Sequence, residues 1–344
     1  MKTKIAFVIF TLTFFFNQPA IADQETFGKH LNLLDKFGGM EVPSEQILAN
    51  PCDLAISSEG FIYILDSQDN NIKMFKKDGT FVKCIGRQGH GPGEFVRPWT
   101  ISIIKDKIYV TDTGNRRIQV LSGEGNFIRS YKIPVEYGTG LILDSKAILF
   151  LNTKGFKRLE LISVYDNQGN LVRGFGDLEG DSIEYYDFTL IKKQIKEGKI
   201  PDSFKNDLLL INDQSGDLFA VHRALNKLKK FSSDGKLVKE TEIKAEEYKE
   251  IYREFLRKNQ SEANPSIFWS LIYIHDLAVD KTGNLYLLLN IPSQMIIYVY
   301  SNDGQYKGKL LGVEESIFRI EISNDNFLFA LSQETQIIYK FPLH

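Results

Sequence analysis

The chain has 344 residues, of which 43% are hydrophobic and 25% are charged, and its formal net charge at pH 7 is −2. This length is ample for a large core within a single domain. The near-neutral balance argues against nucleic acid as a partner, because phosphate binding leaves a basic footprint on a protein.

The first 22 residues have the pattern of a secretory signal peptide. Lys2 and Lys4 are basic, the segment from Ile5 to Phe16 is apolar, and small residues end at Ala22. The apolar run is too short for a spanning helix, which needs about 20 residues. We therefore expect cleavage after Ala22 and a secreted or periplasmic mature chain, residues 23–344, that forms one domain, has no membrane span and is monomeric.

One isolated strand and then a four-stranded unit follow. The segment from Leu31 to Gly39 alternates like a strand without neighbours nearby in the sequence. Between Asp53 and Gly86, four short alternating segments are separated by turn residues, which predicts an antiparallel meander. A second copy begins at once, with Asp112 and Gly125 each 46 residues after Asp66 and Gly79. Such spacing is typical of propeller blades, whose repeats run to about 40 to 50 residues.

Two stretches carry a family resemblance. DTGNRRIQVL, from Asp112 to Leu121, resembles the signature between the second and third strands of an NHL repeat, and GRQGHGPGEFVRP, from Gly86 to Pro98, resembles its connection between blades. The resemblance implies an all-β fold, a six-bladed β-propeller of four-stranded antiparallel blades. It implies much less about chemistry, because NHL-like propellers include scaffolds, RNA binders, a lyase and sugar-lactone hydrolases.

The rest of the chain continues the pattern with two insertions. We predict further blades at Leu141–Gly176, Leu208–Ile243 and His275–Gly312. Residues 177–206 and 245–271 are too short to be another blade, and both contain amphipathic patterns that predict short helices. Three final strands lie between Phe318 and Phe341 and lack a fourth. Because an unpaired edge is a liability, we predict that Leu31 to Phe37 completes this last blade and closes the ring.

The two cysteines lie in different strands of the first blade. Cys52 begins its innermost strand and Cys84 lies in its outermost strand, about three strand spacings of 4.8 Å away. A disulfide needs Cα atoms within about 7 Å, so we expect two unpaired and mostly buried thiols. A bridge is the alternative, because the predicted compartment is oxidising.

Connections from the outermost strand of one blade to the next blade lie on the same face as the loops between second and third strands. Both insertions, the Gly86–Pro98 loop and the ends of the second strands therefore converge around one mouth of the channel. Loops on a rigid scaffold concentrate binding residues. The candidate ligand-binding residues on this face are Asp66, His90, Asp112, Arg116, Tyr185, Tyr186, His222, Tyr252 and Trp269. The alternative interpretation is that the aromatic residues fix the insertions to the propeller rim.

A metal site is the sharper hypothesis. The family resemblance includes an amidating lyase with zinc and calcium in its channel, and lactonases that hold one divalent cation. Asp53, Asp276 and His275 begin innermost strands near the channel mouth and are the candidate ligands, with His222 or Asp112 as further ones. The five histidines are scattered without a paired motif, and capping or turn roles are the default for these aspartates.

We therefore favour a non-enzymatic binding scaffold, without a cofactor, that holds a protein, peptide or glycan on the face with the insertions. The competing hypothesis is a metal-dependent lyase or lactone hydrolase with calcium or zinc in the channel. A purely structural propeller in an envelope assembly is a third.

Overall fold

Strands of the chain pair into six sheets that are the blades of a propeller. A computed structural model describes residues 28–132, 138–143, 148–153, 160–166, 168, 170–181, 187–213, 215–261 and 267–343. Two short strands come first, β1 (Lys29–His30) and β2 (Asp35–Gly38). Blade 1 contains β3 (Pro51–Ile56), β4 (Ile62–Asp66), β5 (Asn71–Phe75) and β6 (Phe81–Ile85). A small ribbon follows, β7 (Arg87–Gln88) and β8 (Glu94–Phe95).

The next three blades follow in chain order. Blade 2 contains β9 (Pro98–Ile104), β10 (Lys107–Asp112), β11 (Arg117–Ser122) and β12 (Phe127–Lys132). Blade 3 contains β13 (Gly138–Leu143), β14 (Ile148–Thr153), β15 (Ile162–Tyr165) and β16 (Leu171–Phe175). Blade 4 contains β17 (Leu208–Asn212), β18 (Leu218–His222), β19 (Lys227–Phe231) and β20 (Leu237–Glu242).

Two blades and three helices complete the fold. Blade 5 contains β21 (Ile274–Val279), β22 (Leu285–Leu289), β23 (Ile296–Tyr300) and β24 (Tyr306–Leu311). Blade 6 contains β25 (Arg319–Ile322), β26 (Phe327–Leu331), β27 (Ile337–Pro342) and the early strand β2. The helices are α1 (Phe188–Lys196), α2 (Asp202–Lys205) and α3 (Tyr248–Ser261). None of the helices in the described ranges is long and apolar enough to cross a membrane.

The ring closes through the N-terminal strand, as predicted. The innermost strand of each blade contacts that of the next, and β25 of the last blade contacts β3 of the first. Strand β2 pairs antiparallel with β27, with Asp35 opposite Lys340 and Gly38 opposite Ile337. The strand is shorter than expected because the segment before it serves blade 5: β1 adds to β24 in parallel, and the Leu31 amide donates to Leu311 O (2.8 Å).

The middle strands of the blades are largely apolar and buried because neighbouring blades cover both of their faces. Every residue of β4, β18, β22 and β23 is buried. The outermost strands have exposed positions and carry an irregularity. In blade 1, Phe75 pairs with Phe81 and Met74 with Lys83, so Val82 is an extra residue in a β-bulge. Equivalent register shifts occur in the next four blades.

A cation beside the bulge reaches from one blade to the next. Lys83 Nζ donates to Glu124 O (2.7 Å) in the last turn of blade 2. Arg173 of blade 3 and Lys239 of blade 4 donate to the carbonyls of Asp234 and Asp303 in the corresponding turns of blades 4 and 5. These contacts tie neighbouring outer rims together.

Both cysteines are free, as expected, but only one is buried. Cys52 lies in the core between blades, and Cys84 is exposed. The expectation that Cys84 is mostly buried was wrong because β6 is the outermost strand, and alternate side chains of that strand face solvent.

Candidate functional site

The two insertions lie side by side on one face. The first connects β16 to β17 and the second connects β20 to β21, so both leave an outermost strand and enter the next innermost strand. We call α1, α2, α3 and residues 267–273 the insertion cap, and the side that carries it the upper face. The Asp187 carboxylate caps α1 by accepting from the Leu190 amide (3.0 Å).

The cap is packed onto blades 4 and 5 as part of their core. Ile191 and Ile195 of α1, Phe204 of α2, and Ile251 and Phe255 of α3 are buried in one cluster with residues of both blades. The four-residue spacing within α1 and within α3 places the apolar side chains of each of these two helices on one face. The cap is therefore a rigid extension of the propeller core.

A chain of aromatic rings joins the two insertions. Phe268 lies between Phe188 (5.6 Å between ring centroids) and Phe204 (5.4 Å), and Phe204 meets Phe255 (6.2 Å). The Tyr252 hydroxyl donates to Gly198 O (2.8 Å) and so links α3 to the end of α1. The interpretation that aromatic residues fix the insertions to the rim holds for these side chains.

Other large apolar side chains of the cap face solvent. The exposed fractions are 40% for Phe188, 47% for Leu190, 44% for Ile267 and 49% for Trp269, and we call these four residues the apolar patch. Trp269 is held in place, because its amide donates to Asn259 Oδ1 (3.0 Å) and its carbonyl accepts from Asn259 Nδ2 (3.1 Å). The Lys258 ammonium lies 5.3 Å from its ring centroid.

Three predicted ligand-binding residues are instead fully buried. Asp66 accepts from the amides of Ala49 (2.6 Å) and Asn50 (3.1 Å), and Lys73 is its buried ion-pair partner (3.4 Å). Asp112 accepts from the Val96 amide (2.8 Å) in the same way.

His222 has the corresponding position in blade 4. Its Nδ1 lies 2.7 Å from Lys205 O, and burial lowers its pKa to about 4. Asp66, Asp112 and His222 therefore hold the upper-face connections from below and do not form part of an exposed surface. We predicted that these three residues are on the exposed face because each ends the second strand of its blade. The prediction missed that the connection before each blade folds over the residue.

The remaining predicted residues fall into separate places. His90 is exposed between β7 and β8, with Nδ1 2.6 Å from Asn115 Oδ1 of blade 2, and Arg116 is exposed in a left-handed conformation next to Asn115. Tyr252 and Trp269 belong to the cap. Tyr185 and Tyr186 lie outside the described residues. The residues expected to form one site are thus divided between two places, one around His90, Asn115 and Arg116 and the other in the cap.

The channel wall contains the two aspartates proposed as metal ligands. Asp53 Oδ2 accepts from the Ile101 amide of blade 2 (2.8 Å), and Asp276 Oδ2 accepts from the Ile320 amide of blade 6 (2.8 Å). Each is the third residue of its innermost strand, so the two make the same contact with the next blade. Burial raises the pKa of Asp276 to about 6, although the Arg319 guanidinium lowers it.

Two charged channel residues were missed by the sequence reasoning. Arg319 Nε donates to Asp53 Oδ1 (3.1 Å), and Glu321 lies two residues further along β25. Burial, and then the charges of Asp276 and Asp53, raise the pKa of Glu321 well above its usual value. The sequence contained a signal for Arg319, because this residue has the same position in the innermost strand of blade 6 as Asp53 has in blade 1 and Asp276 has in blade 5.

A metal centre does not assemble from the described residues, which contain no group of three or more His, Cys, Asp or Glu that could hold an ion. His275 lies edge-on to Phe318, with ring centroids 6.3 Å apart, and burial lowers its pKa to about 3. Asp53 and Asp276 instead join neighbouring blades, which differs from the capping or turn roles expected by default.

Comparison with known proteins agrees with this architecture. A family described as 6-bladed beta-propeller matches residues 40–264. The chain belongs to this family of 6-bladed beta-propellers. The match runs from the end of β2 into the second insertion, so most of the cap lies inside the region that the family covers.

Individual relatives are distant. Drosophila melanogaster protein brain tumor is 24% identical over 146 residues, which are 41% of this chain and 14% of the Drosophila protein. A Bacteroides fragilis protein, provisionally described as exported, is 14% identical with a TM-score of 0.57 over 92% of this chain and 98% of that one. Virginiamycin B lyase from Staphylococcus aureus, solved catalytically inactive with quinupristin, is 15% identical with a TM-score of 0.51 over 89% and 83% of the two chains. These structural likenesses concern the fold alone.

Proposed function

We propose that the protein is an exported, non-enzymatic scaffold that binds a protein or peptide through the apolar patch. The observation that carries the proposal is the exposure of Phe188, Leu190, Ile267 and Trp269 on a cap whose other side is packed into the core. Large exposed apolar side chains that are contiguous mark interaction surfaces. Phe188 packs against Phe268, which lies between Ile267 and Trp269 in the sequence, so the start of α1 and residues 267–269 are adjacent.

The composition of the patch favours a protein over a glycan. Leu190 and Ile267 are aliphatic and offer no flat ring for a sugar, whereas a buried tryptophan surrounded by aliphatic contacts is a common centre of protein interfaces. The backbone of Trp269 is fixed by Asn259, so little conformational entropy is lost when a partner binds.

The test compares two double variants of the full chain. Phe188→Ala with Trp269→Ala removes the patch, and Leu171→Ala with Val238→Ala removes apolar side chains of similar exposure from outermost strands. A partner captured by the wild-type protein is purified, and its Kd is measured by calorimetry. We expect the patch variant to bind at least ~10-fold more weakly and the control variant to bind normally. Equal weakening in both variants, or none in either, would reject the patch.

Point substitutions are better than deletion of the second insertion. Ile251 and Phe255 contribute to the core beneath the cap, so removing residues 245–271 would expose blades 4 and 5 and confuse unfolding with loss of binding.

The metal-dependent alternative is tested by elemental analysis of protein purified without chelator. We expect substoichiometric calcium and zinc, because the Asp53 and Asp276 carboxylates each accept a backbone amide of the next blade. A near-stoichiometric ion that is lost in Asp276→Ala would instead support a lyase or lactone hydrolase.

A further inference from the structure

Arg223 lies where the two insertions meet the propeller. It directly follows β18; its amide donates to Asp207 O (2.9 Å) at the end of the first insertion, and its carbonyl accepts from the Tyr273 amide (2.6 Å) at the end of the second. Both connections lead into innermost strands, β17 and β21. The residue is therefore fixed on the upper face, beside the mouth of the channel.

The Arg223 guanidinium is only partly compensated. Its side chain is 16% exposed, and Nη1 lies 3.8 Å from Asp207 Oδ2, near the outer limit for an ion pair. Its Nε is buried and has no hydrogen-bond partner in the described ranges. Arginine stays charged at all ordinary pH values, and a buried donor of this kind calls for an acceptor.

His275 supplies a second buried nitrogen in the same region. It lies two residues after Tyr273, and its Nδ1 also has no hydrogen-bond partner among the residues that the structure describes. Burial, followed by the charges of Arg319 and Arg223, lowers its pKa, so the ring is neutral at pH 7 and one of its nitrogens carries a proton. The Tyr273 amide donates to the Arg223 carbonyl, and His275 is two residues further along the chain, so Arg223 and His275 lie in the same corner of the upper face.

We propose that Arg223 and His275 form an anion-binding site at the upper mouth of the channel, and that the site takes a carboxylate group. The planar fork of an arginine matches the two oxygens of a carboxylate, and the imidazole N–H is a further donor. A singly charged group fits better than a phosphate dianion, because Asp207 already supplies negative charge to Arg223. The neighbouring Asp276 carboxylate does not occupy the site through Oδ2, which accepts from Ile320.

The site does not depend on the proposed scaffold function, and acetate alone is the probe. The full chain is labelled with ¹⁵N-histidine, the His275 signal is assigned with His275→Asn, and sodium acetate is titrated against sodium chloride at equal ionic strength. We expect a saturable shift of the His275 signal with acetate and none with chloride.

Three variants decide which residue carries the effect. Arg223→Gln should weaken acetate binding at least ~10-fold, whereas Arg223→Lys should bind with intermediate affinity because it keeps the charge without the fork. Arg257→Gln, on the exposed face of α3, should bind like wild type. Equal shifts with acetate and chloride, or normal binding by a folded Arg223→Gln protein, would overturn the proposal. Equal weakening of acetate binding in Arg223→Gln and Arg257→Gln would also overturn it.

The source of the carboxylate is found by competition. A short peptide with a free C-terminus that displaces acetate, when its amidated form does not, identifies a peptide terminus, and displacement by both identifies an acidic side chain. Acetate binding without displacement by either identifies a small free carboxylate. Trp269→Ala should leave acetate affinity unchanged, so failure of the apolar patch and failure of the anion site can be told apart.

Discussion

Glycine in the last turn of a blade has two physical tasks. Gly79 adopts a φ of +81°, which disfavours residues with a Cβ, and a Cβ there would lie 2.7 Å from the Phe37 ring of the closing strand. Gly125 has a φ of +88° and would place its Cβ 2.5 Å from Ile85 of the preceding blade. The turn glycine therefore permits both the turn and the approach of the neighbouring blade.

Gly79→Ala should destabilise the protein more than Gly216→Ala does. Gly216 has a similar φ of +87°, but a Cβ there would meet nothing within 4 Å. We expect about 1 kcal/mol for the control from backbone strain, and about 1 to 3 kcal/mol more at Gly79 from overpacking. Urea unfolding measures both. Equal losses would mean that Phe37 can move away at no cost.

Glu321→Gln should remove part of the pH dependence of stability. The raised pKa means that folded protein holds the Glu321 proton at pH values where unfolded chain has lost it. The stability from this group is complete below the ordinary pKa of glutamate and falls as pH rises towards the folded-state pKa. The neutral amide has no such loss, so the variant should gain over wild type as pH rises.

The expected gain is about 1.4 kcal/mol for each unit by which the pKa is raised. Urea unfolding of both proteins at pH 5 and pH 8 gives the difference in their free energies of unfolding at each pH. The opposing pH dependence that His222 and His275 contribute is common to both proteins and cancels in this difference. A difference between the two proteins that stays constant with pH would contradict the raised pKa of Glu321.

At the scale of elements, the cap was predicted as two helical insertions, but its surface was not. The three- and four-residue spacing of Tyr248, Ile251, Tyr252 and Phe255 predicts that α3 is amphipathic. It does not say which aromatic residues in the irregular segment after α3 point inward: Phe268 is half-buried between two other rings, and its neighbours Ile267 and Trp269 are exposed. That outcome depends on α1 and α2, which are distant in the sequence.

Phe255→Ala should loosen the cap from the propeller. The side chain is 4% exposed and contacts the rings of Phe204 and Tyr252, so its removal should cost about 3 to 5 kcal/mol. Tyr252→Phe keeps the ring and removes only the hydrogen bond to Gly198, so it should cost about 1 kcal/mol. Chemical denaturation gives both values, and limited proteolysis should show earlier cleavage in the cap of Phe255→Ala alone. Equal protease resistance would indicate that Phe255 is not what anchors the cap.

Over the whole molecule, removal of the closing strand should cause association. A chain that begins at Met40 lacks β1 and β2 and exposes the edge of β27, which invites pairing with other chains. A chain that begins at Gly28 keeps both strands and is the control. Light scattering after size-exclusion chromatography should give a monomer for the control and oligomers for the shorter chain. A stable monomer without β2 would show that the other blades suffice to close the ring.

The architecture could be predicted because its evidence is local and repeated. The 46-residue offset of Asp66 and Asp112, and of Gly79 and Gly125, sets the blade register, and the unmatched strands at the two ends require closure. The roles of individual polar residues could not be predicted in this way. Asp66 is satisfied by amides 16 and 17 residues earlier, in a connection without a repeating pattern. Strand position was therefore readable from the sequence, but exposure was not.

The cationic contacts between outer rims have a direction. Lys83, Arg173 and Lys239 each reach forward along the chain to the next blade, and blade 4 both receives such a donor from blade 3 and gives one to blade 5. In an assembly of subunits this would be a heterologous interface, which makes a ring when the rotation closes and an open helix when it does not. Such an interface does not by itself require a closed ring. The count of six is instead fixed by β2, because the strand that completes the final blade comes from the opposite end of the same chain.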